Sequence, residues 1–295
     1  MNFRQILILL ILTITVISCQ NQPSDKKNKS TSSVISDKDI DQKKLDEKLV
    51  KTNAVWDSLS EQLRNKELNK TQEDSLRRLF NYNKKQQETI FQNFIRQNPN
   101  SLVSIETLNG FKFSWGKDLT EKLFKSLNTE IQSSEKGDQV KEYIKYYRNP
   151  KISDKYSDFT LPNTKGDSIQ LAENLSDYTL LEFWASWCSG CREEHPKLIQ
   201  VYEKYKDRKF TVIGISSDSS QEIWLNAIEK DQLPWINLID SNGRESIVQY
   251  KYGIHFIPMN FLIGPNKEII AKDIKPKELD KLLEKELRKT AHNIG

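Results

Sequence analysis

Apolar positions along the 295-residue chain change their rhythm three times. Residues 6–17 are an almost unbroken apolar run, and residues 20–44 hold almost nothing apolar. From Leu45 to Arg148 apolar side chains recur three and four positions apart, the spacing of amphipathic helices. Thr71-Gln72-Glu73-Asp74 reads as a capping box opening one helix, carried by Leu76, Leu79, Phe80, Ile90, Phe91, Phe94 and Ile95. Asn98-Pro99-Asn100-Ser101 ends it and starts another. Asp118 heads a third, with Leu119, Leu123, Phe124, Leu127 and Ile131 on one face. Gly137-Asp138 opens a fourth, with Val140, Tyr143, Ile144 and Tyr147. After Pro150 the texture shifts to short β-prone runs at 180–183, 210–216, 259–263 and 269–272. Helical patterns at 191–206, 220–230 and 276–289 lie between and after them. Strands separated by helices predict an α/β domain on a central sheet, preceded by an all-α module.

The apolar run at 6–17 follows the basic start Met1 to Arg4 and is too short to span a bilayer, which needs roughly 20 residues. It has the length of a signal-peptide core. Val16-Ile17-Ser18-Cys19 then resembles a bacterial lipobox, which implies cleavage before Cys19 and lipid on that cysteine. Residues 20–44 cannot bury enough apolar area to fold and read as a tether. The expected organisation is therefore a signal peptide at 1–18, a disordered tether from lipidated Cys19 to 44, a helical domain at 45–150 and an α/β domain at 151–295. Gln20 is not the Asp that favours inner-membrane retention in some bacteria, and the choice of membrane stays open.

Net charge is +4, from 45 basic and 41 acidic side chains interspersed along the chain. That describes a solvated surface rather than the clustered basic face of a nucleic-acid binder. No cluster of catalytic or metal-binding residue types stands out in the helical region.

The chemistry concentrates in Phe183-Trp184-Ala185-Ser186-Trp187-Cys188-Ser189-Gly190-Cys191. With Cys19 lipidated, Cys188 and Cys191 are the two remaining thiols of an exported chain, a setting that favours oxidation and reduction. A helix starting near Cys188 would set its sulfur against unpaired N–H groups and the positive end of the helix dipole, which favours the thiolate. Cys191, one turn in on the same face, would be more buried and placed to attack a mixed disulfide on Cys188. A structural brace, half of a zinc site and a peroxide-reducing thiol are the competing uses of such a pair. Zinc wants more ligands than one C-x-x-C supplies, and only His195, His255 and His292 are at hand.

The segment from Phe183 to Glu194 is similar to the active-site segment of thioredoxin-fold proteins, especially the TlpA/ResA-like branch of exported thiol–disulfide oxidoreductases in the redoxin (AhpC/TSA-like) superfamily. Pro196 matches that family's helix-kinking proline. Ser157 to Pro162, Gly166 and Ile169 to Leu171 look like its entry strands. Val212 to Ser216 looks like its next strand, and Tyr252 to Ile263 like its cis-proline strand. The resemblance spans about 156–287, and the helical stretch before it looks like the region preceding this domain in Bacteroidota members.

This resemblance implies a thioredoxin-like fold with a mixed sheet. It implies exchange of a Cys188–Cys191 dithiol with protein thiol and disulfide substrates, most naturally as a reductase fed by a membrane electron donor. No organic cofactor or metal is required. Pro258 matches the cis-proline facing the disulfide, and Ile257 the residue whose backbone pairs with an incoming substrate chain. Glu182 matches the buried acid that accepts the Cys191 proton, and Trp187 the aromatic beside the active site. Trp184 is expected in the core. The Ser-Gly between the cysteines and the bulky Ile257 depart from the common pattern, which leaves potential and substrate preference open. His195 and His255 are expected to be bystanders. A copper-binding chaperone of the same fold, and an adaptor whose cysteines merely brace it, are the alternatives. The implied location is the cell envelope, lipid-anchored and facing the periplasm.

Overall fold

A computed structural model describes residues 35–292. The expected signal peptide, Cys19 and most of the expected tether lie outside the described residues. Helix α1 (Lys38–Gln62) begins well ahead of residue 45, inside the stretch expected to be tether. The polar residues there make the helix rather than prevent it. Asp37 caps it by accepting from the N–H groups of Asp39 and Ile40. Asp41 is buried, accepting from the Ser36 hydroxyl and from Lys44 at 3.0 Å. Leu45, Leu49, Trp56 and Leu59 then form the apolar stripe.

Helix α2 (Lys70–Gln97) packs on α1, with Trp56 and Phe80 ring centroids 4.0 Å apart. Its capping box is Asn69 with Gln72, not the Thr71–Asp74 tetrad: each side chain accepts from the other's backbone N–H at 3.0 Å. Helix α3 (Leu102–Phe124) is capped by Ser101 and kinks at Gly116, whose φ of 76° lies in the left-handed region. The helix expected to begin at Asp118 is its continuation beyond that kink. Asn128 and Ser134 cap α4 (Thr129–Gln132) and α5 (Glu135–Tyr146). Ile95, Ile105, Leu108, Leu123, Ile131 and Val140 share one core.

Strands β1 (Thr160–Pro162) and β2 (Ser168–Gln170) pair antiparallel at the entry to the α/β part. The main sheet has the order β5 (Ile236–Ile239), β4 (Phe210–Ser216), β3 (Tyr178–Trp184), β6 (Met259–Ile263), β7 (Ile269–Lys272). Strands β3, β4 and β5 are parallel; β6 runs against them, and β7, antiparallel to β6, runs with them again. Central β3 is buried at every position, because both faces are covered. Alternation sends Leu180, Trp184 and Val212 to one face, against Leu198 and Tyr205 of α6 (Ser189–Tyr205) and Leu279 and Leu283 of α9 (Pro276–His292). Leu181, Phe183, Ile213 and Phe261 face the other way, toward Val248 and Tyr252 of α8 (Ile247–Tyr252). Helix α7 (Gln221–Asp231) packs Trp224 and Ala227 into the first core. None of the helices among the described residues is long and apolar enough to cross a membrane.

Specific polar contacts join the helical and α/β parts. The N–H of Arg148 donates to the Tyr250 carbonyl at 2.9 Å. Lys112 of α3 is fully buried, yet its ammonium reaches Glu245 Oε2 at 2.5 Å and Asn109 Oδ1 at 2.7 Å. Tyr250 donates its hydroxyl to the same Glu245 oxygen at 2.7 Å. Burial holds the Lys112 ammonium below its ordinary pKa, even against the pull of Glu245.

Candidate active site

Strand β3 ends at Trp184, and four residues later the chain enters α6. Asp218 holds that crossing in place. Its carboxylate accepts from the Ser186 N–H at 2.8 Å, the Ser186 hydroxyl at 2.6 Å and the Ser216 hydroxyl at 2.7 Å. Cys188 is the N-cap of α6, and its Sγ accepts the Cys191 N–H at 3.2 Å. The two sulfurs are bonded, 2.07 Å apart. Cys191 is wholly buried and Cys188 nearly so.

The Ile257–Pro258 peptide is cis. Pro258 faces the turn between the cysteines: a methyl group on Gly190 would sit 3.9 Å from its Cδ. Trp187 and Phe256 are 67% and 52% exposed, whereas Trp184 is fully buried. A shallow depression beside Trp187 is lined by Arg192, Ile223, Asn226 and Lys230.

At His195 the structure departs from the expectation. Glu182 is buried in β3, paired in register with Gly214 on β4 and Asn260 on β6. It is not a lone carboxyl in an apolar strand. Its Oε1 lies 3.0 Å from Nε2 of His195 on α6. The other imidazole nitrogen, Nδ1, lies 3.0 Å from Asp231 Oδ2 at the end of α7. Arg192 closes the chain, with Nε donating to Asp231 Oδ2 at 2.8 Å and Nη2 to Oδ1 at 2.5 Å. Glu182 Oε2 is buried with no hydrogen-bond partner among the described residues. His195, expected to be a bystander, is therefore the centre of a buried ionic chain. His255 instead stacks on Phe113 of α3, ring centroids 6.0 Å apart, with Nδ1 3.0 Å from the Gly253 carbonyl.

The charges follow from these contacts. Burial disfavours a charged His195, but Glu182 and then Asp231 outweigh it and raise the imidazole pKa above its ordinary value. Burial works against the Asp231 carboxylate too, and Arg192 with His195 reverses it, holding this group below the usual carboxylate range. His195 had one legible signal, its place four residues after Cys191 on the same helix face. Asp231 and Asp218 had none, because the partners that place them at the site, His195 and Arg192 for one and Ser186 for the other, lie more than thirty residues away.

The AhpC/TSA family model matches residues 152–272. The thiol-disulfide oxidoreductase ResA of Oceanobacillus iheyensis is 30% identical over 134 residues, 44% of this chain and 67% of that protein. ResA of Bacillus cereus is 26% identical over 147 residues, half of this chain and 83% of its own length. Among solved structures, the thioredoxin domain of a Bacteroides vulgatus thiol-disulfide oxidoreductase is 31% identical, covering 46% of this chain and 98% of its own, with a TM-score of 0.44. A thiol-disulfide oxidoreductase from Bacteroides fragilis is 36% identical over 45% of this chain and 98% of its own, with a TM-score of 0.43. With its C-x-x-C at the head of α6 and its kinship to ResA, the chain belongs to the ResA-type thiol-disulfide oxidoreductases, with a thioredoxin-like α/β domain that the AhpC/TSA family model matches.

Proposed function

We propose that this thiol-disulfide oxidoreductase works as a reductase of protein disulfides, with Cys188 as nucleophile and Cys191 as resolving thiol. The observation that carries the assignment is the position of Cys188 at the N-cap of α6, its Sγ taking the Cys191 N–H at 3.2 Å. A thiolate there gains the same hydrogen bond and the favourable end of the helix dipole. Cys188 attacks one sulfur of a substrate disulfide; that S–S bond breaks and one substrate sulfur leaves as thiolate. Cys191 then attacks Cys188, expelling the second substrate sulfur, and its proton goes to Glu182. The substrate gains two electrons and the protein dithiol becomes the disulfide. Trp187 and Phe256, the exposed aromatics, support a recognition surface, with the backbone of Ile257 beside Pro258 pairing with the substrate chain.

The lipobox-like Val16-Ile17-Ser18-Cys19 supports a lipid anchor at Cys19, holding the domain on the periplasmic side of the envelope. A membrane donor would then return the dithiol. The test is a titration of the Cys188–Cys191 pair against glutathione and dithiothreitol buffers, read by thiol alkylation. A midpoint near or below about −230 mV supports the reductase. One near about −120 mV reverses the direction, and a pair locked far below about −300 mV is a brace.

A further inference from the structure

Cys191 and His195 are i and i+4 on the inner face of α6, and both are buried. Nε2 of His195 meets Glu182, and Nδ1 meets Asp231, whose charge Arg192 already balances. Asp231 thereby fixes the proton on Nδ1, the role a carboxylate plays for the histidine of a hydrolase triad. The variable proton is the one shared by Nε2 and Glu182. With it the four side chains sum to zero charge; without it they carry one buried negative charge. Each of those states is matched by one state of the cysteines. In the disulfide form Cys191 has no proton. In the dithiol form it needs one. The remaining Glu182 oxygen, Oε2, is buried and makes no hydrogen bond among the described residues.

We propose that His195 is a positioning residue that, through Glu182, stores the Cys191 proton while the pair is a disulfide. This rests on the exchange reading given above. On reduction, a donor thiolate attacks Cys188 Sγ and the S–S bond breaks. The electron pair goes to Cys191 Sγ, and the stored proton moves to it from the Glu182–His195 pair. On oxidation of the dithiol by a substrate disulfide, Cys191 returns that proton as it forms the bond to Cys188. The groups around the imidazole are Glu182 and Trp184 from β3, Asp231 from α7 with Arg192 of α6 behind it, Cys191 one turn earlier on α6, and Trp235 before β5, both indoles nearly perpendicular to the ring. The raised imidazole pKa in this disulfide form agrees with a stored proton.

The test uses the full chain with nitrogen-labelled histidine, following the His195 ring by NMR in the disulfide and dithiol forms at one pH near neutrality. The expected result is an imidazolium in the disulfide form and a neutral ring, protonated at Nδ1, in the dithiol form. A second readout is the pH dependence of the midpoint. Wild type takes up one proton fewer from solution than His195→Gln, a tenfold difference in the exchange constant per pH unit, or about 30 mV. If the pair exchanges with glutathione but His195 keeps one protonation state in both forms, the proposal is overturned and the exchange stands. If the pair cannot be reduced in accessible buffers, the exchange reading itself falls. Should His195→Gln fail to fold, the wild-type spectrum still decides.

Discussion

Asp240, just past β5, is a buried carboxyl whose ionisation at neutral pH costs stability. It is 2% exposed, and its side chain accepts the Ser246 hydroxyl, which in turn takes the Val248 N–H at 3.0 Å and caps α8. Burial pushes its pKa from 3.8 up to about 6, against the hydrogen bonds from Ser246 and the Asn242 backbone. The shift is about two units, and at about 1.4 kcal/mol per unit it amounts to about 3 kcal/mol. For an acid whose folded pKa is raised, the folded state holds the proton more tightly than the unfolded one. Its contribution is favourable below about pH 4 and is lost as pH rises through about 6. Asp240→Asn removes the titration and keeps an acceptor for Ser246. The variant is expected to be more stable than wild type by about 1–3 kcal/mol near pH 7, the lower figure allowing for a weaker neutral hydrogen bond. Near pH 4 the gain should vanish. Urea unfolding followed by tryptophan fluorescence at both pH values measures the difference. An Asn variant that loses the same stability at both would refute the argument, since it would mean that hydrogen bonds, not burial, govern this carboxyl.

Glu245→Gln should destabilise by about 3 kcal/mol, because it strands the fully buried Lys112 ammonium, whereas Lys112→Met should cost less, since Glu245 is one-third exposed and can reach water. The double variant should cost less than the sum of the singles in denaturant melts, and the reverse order of the singles would sink the reasoning. Gly214→Ala should cost about 1–3 kcal/mol, because its methyl would meet Asn237 Oδ1 at 3.0 Å and the indole nitrogens of Trp235 and Trp184 at 3.1 and 3.2 Å; a variant that melts with wild type would show that this cluster relaxes freely. Trp187→Ala should leave the melting temperature unchanged, as the ring is 67% exposed, while raising KM for a disulfide-linked peptide about tenfold, roughly 1.4 kcal/mol. Unchanged kinetics would remove Trp187 from the recognition surface.

The α/β part is largely legible in the sequence, because its signals are local. Continuous β-prone runs marked β3, β4, β6 and β7 with little error, and Cys188 falls at a helix start because a strand, a short crossing and an amphipathic pattern follow one another there. Short β5 and α8 were missed: four and six residues give too few periods to register, and both are held by contacts made elsewhere, β5 by pairing with β4 and α8 by the Ser246 cap. The early start of α1 was missed for a related reason. Residues 38–44 look too polar to fold, and only the buried Asp41, tied to Ser36 and Lys44, makes that polarity compatible with a helix. The pair of cysteines, their spacing and the acid six residues before them are properties of the chain. That the acid lies under a histidine, that an aspartate on α7 fixes the imidazole, and that an arginine balances the aspartate are properties of the packing. Burial turns these distant polar residues into one site, since each charge removed from water must find its partner there.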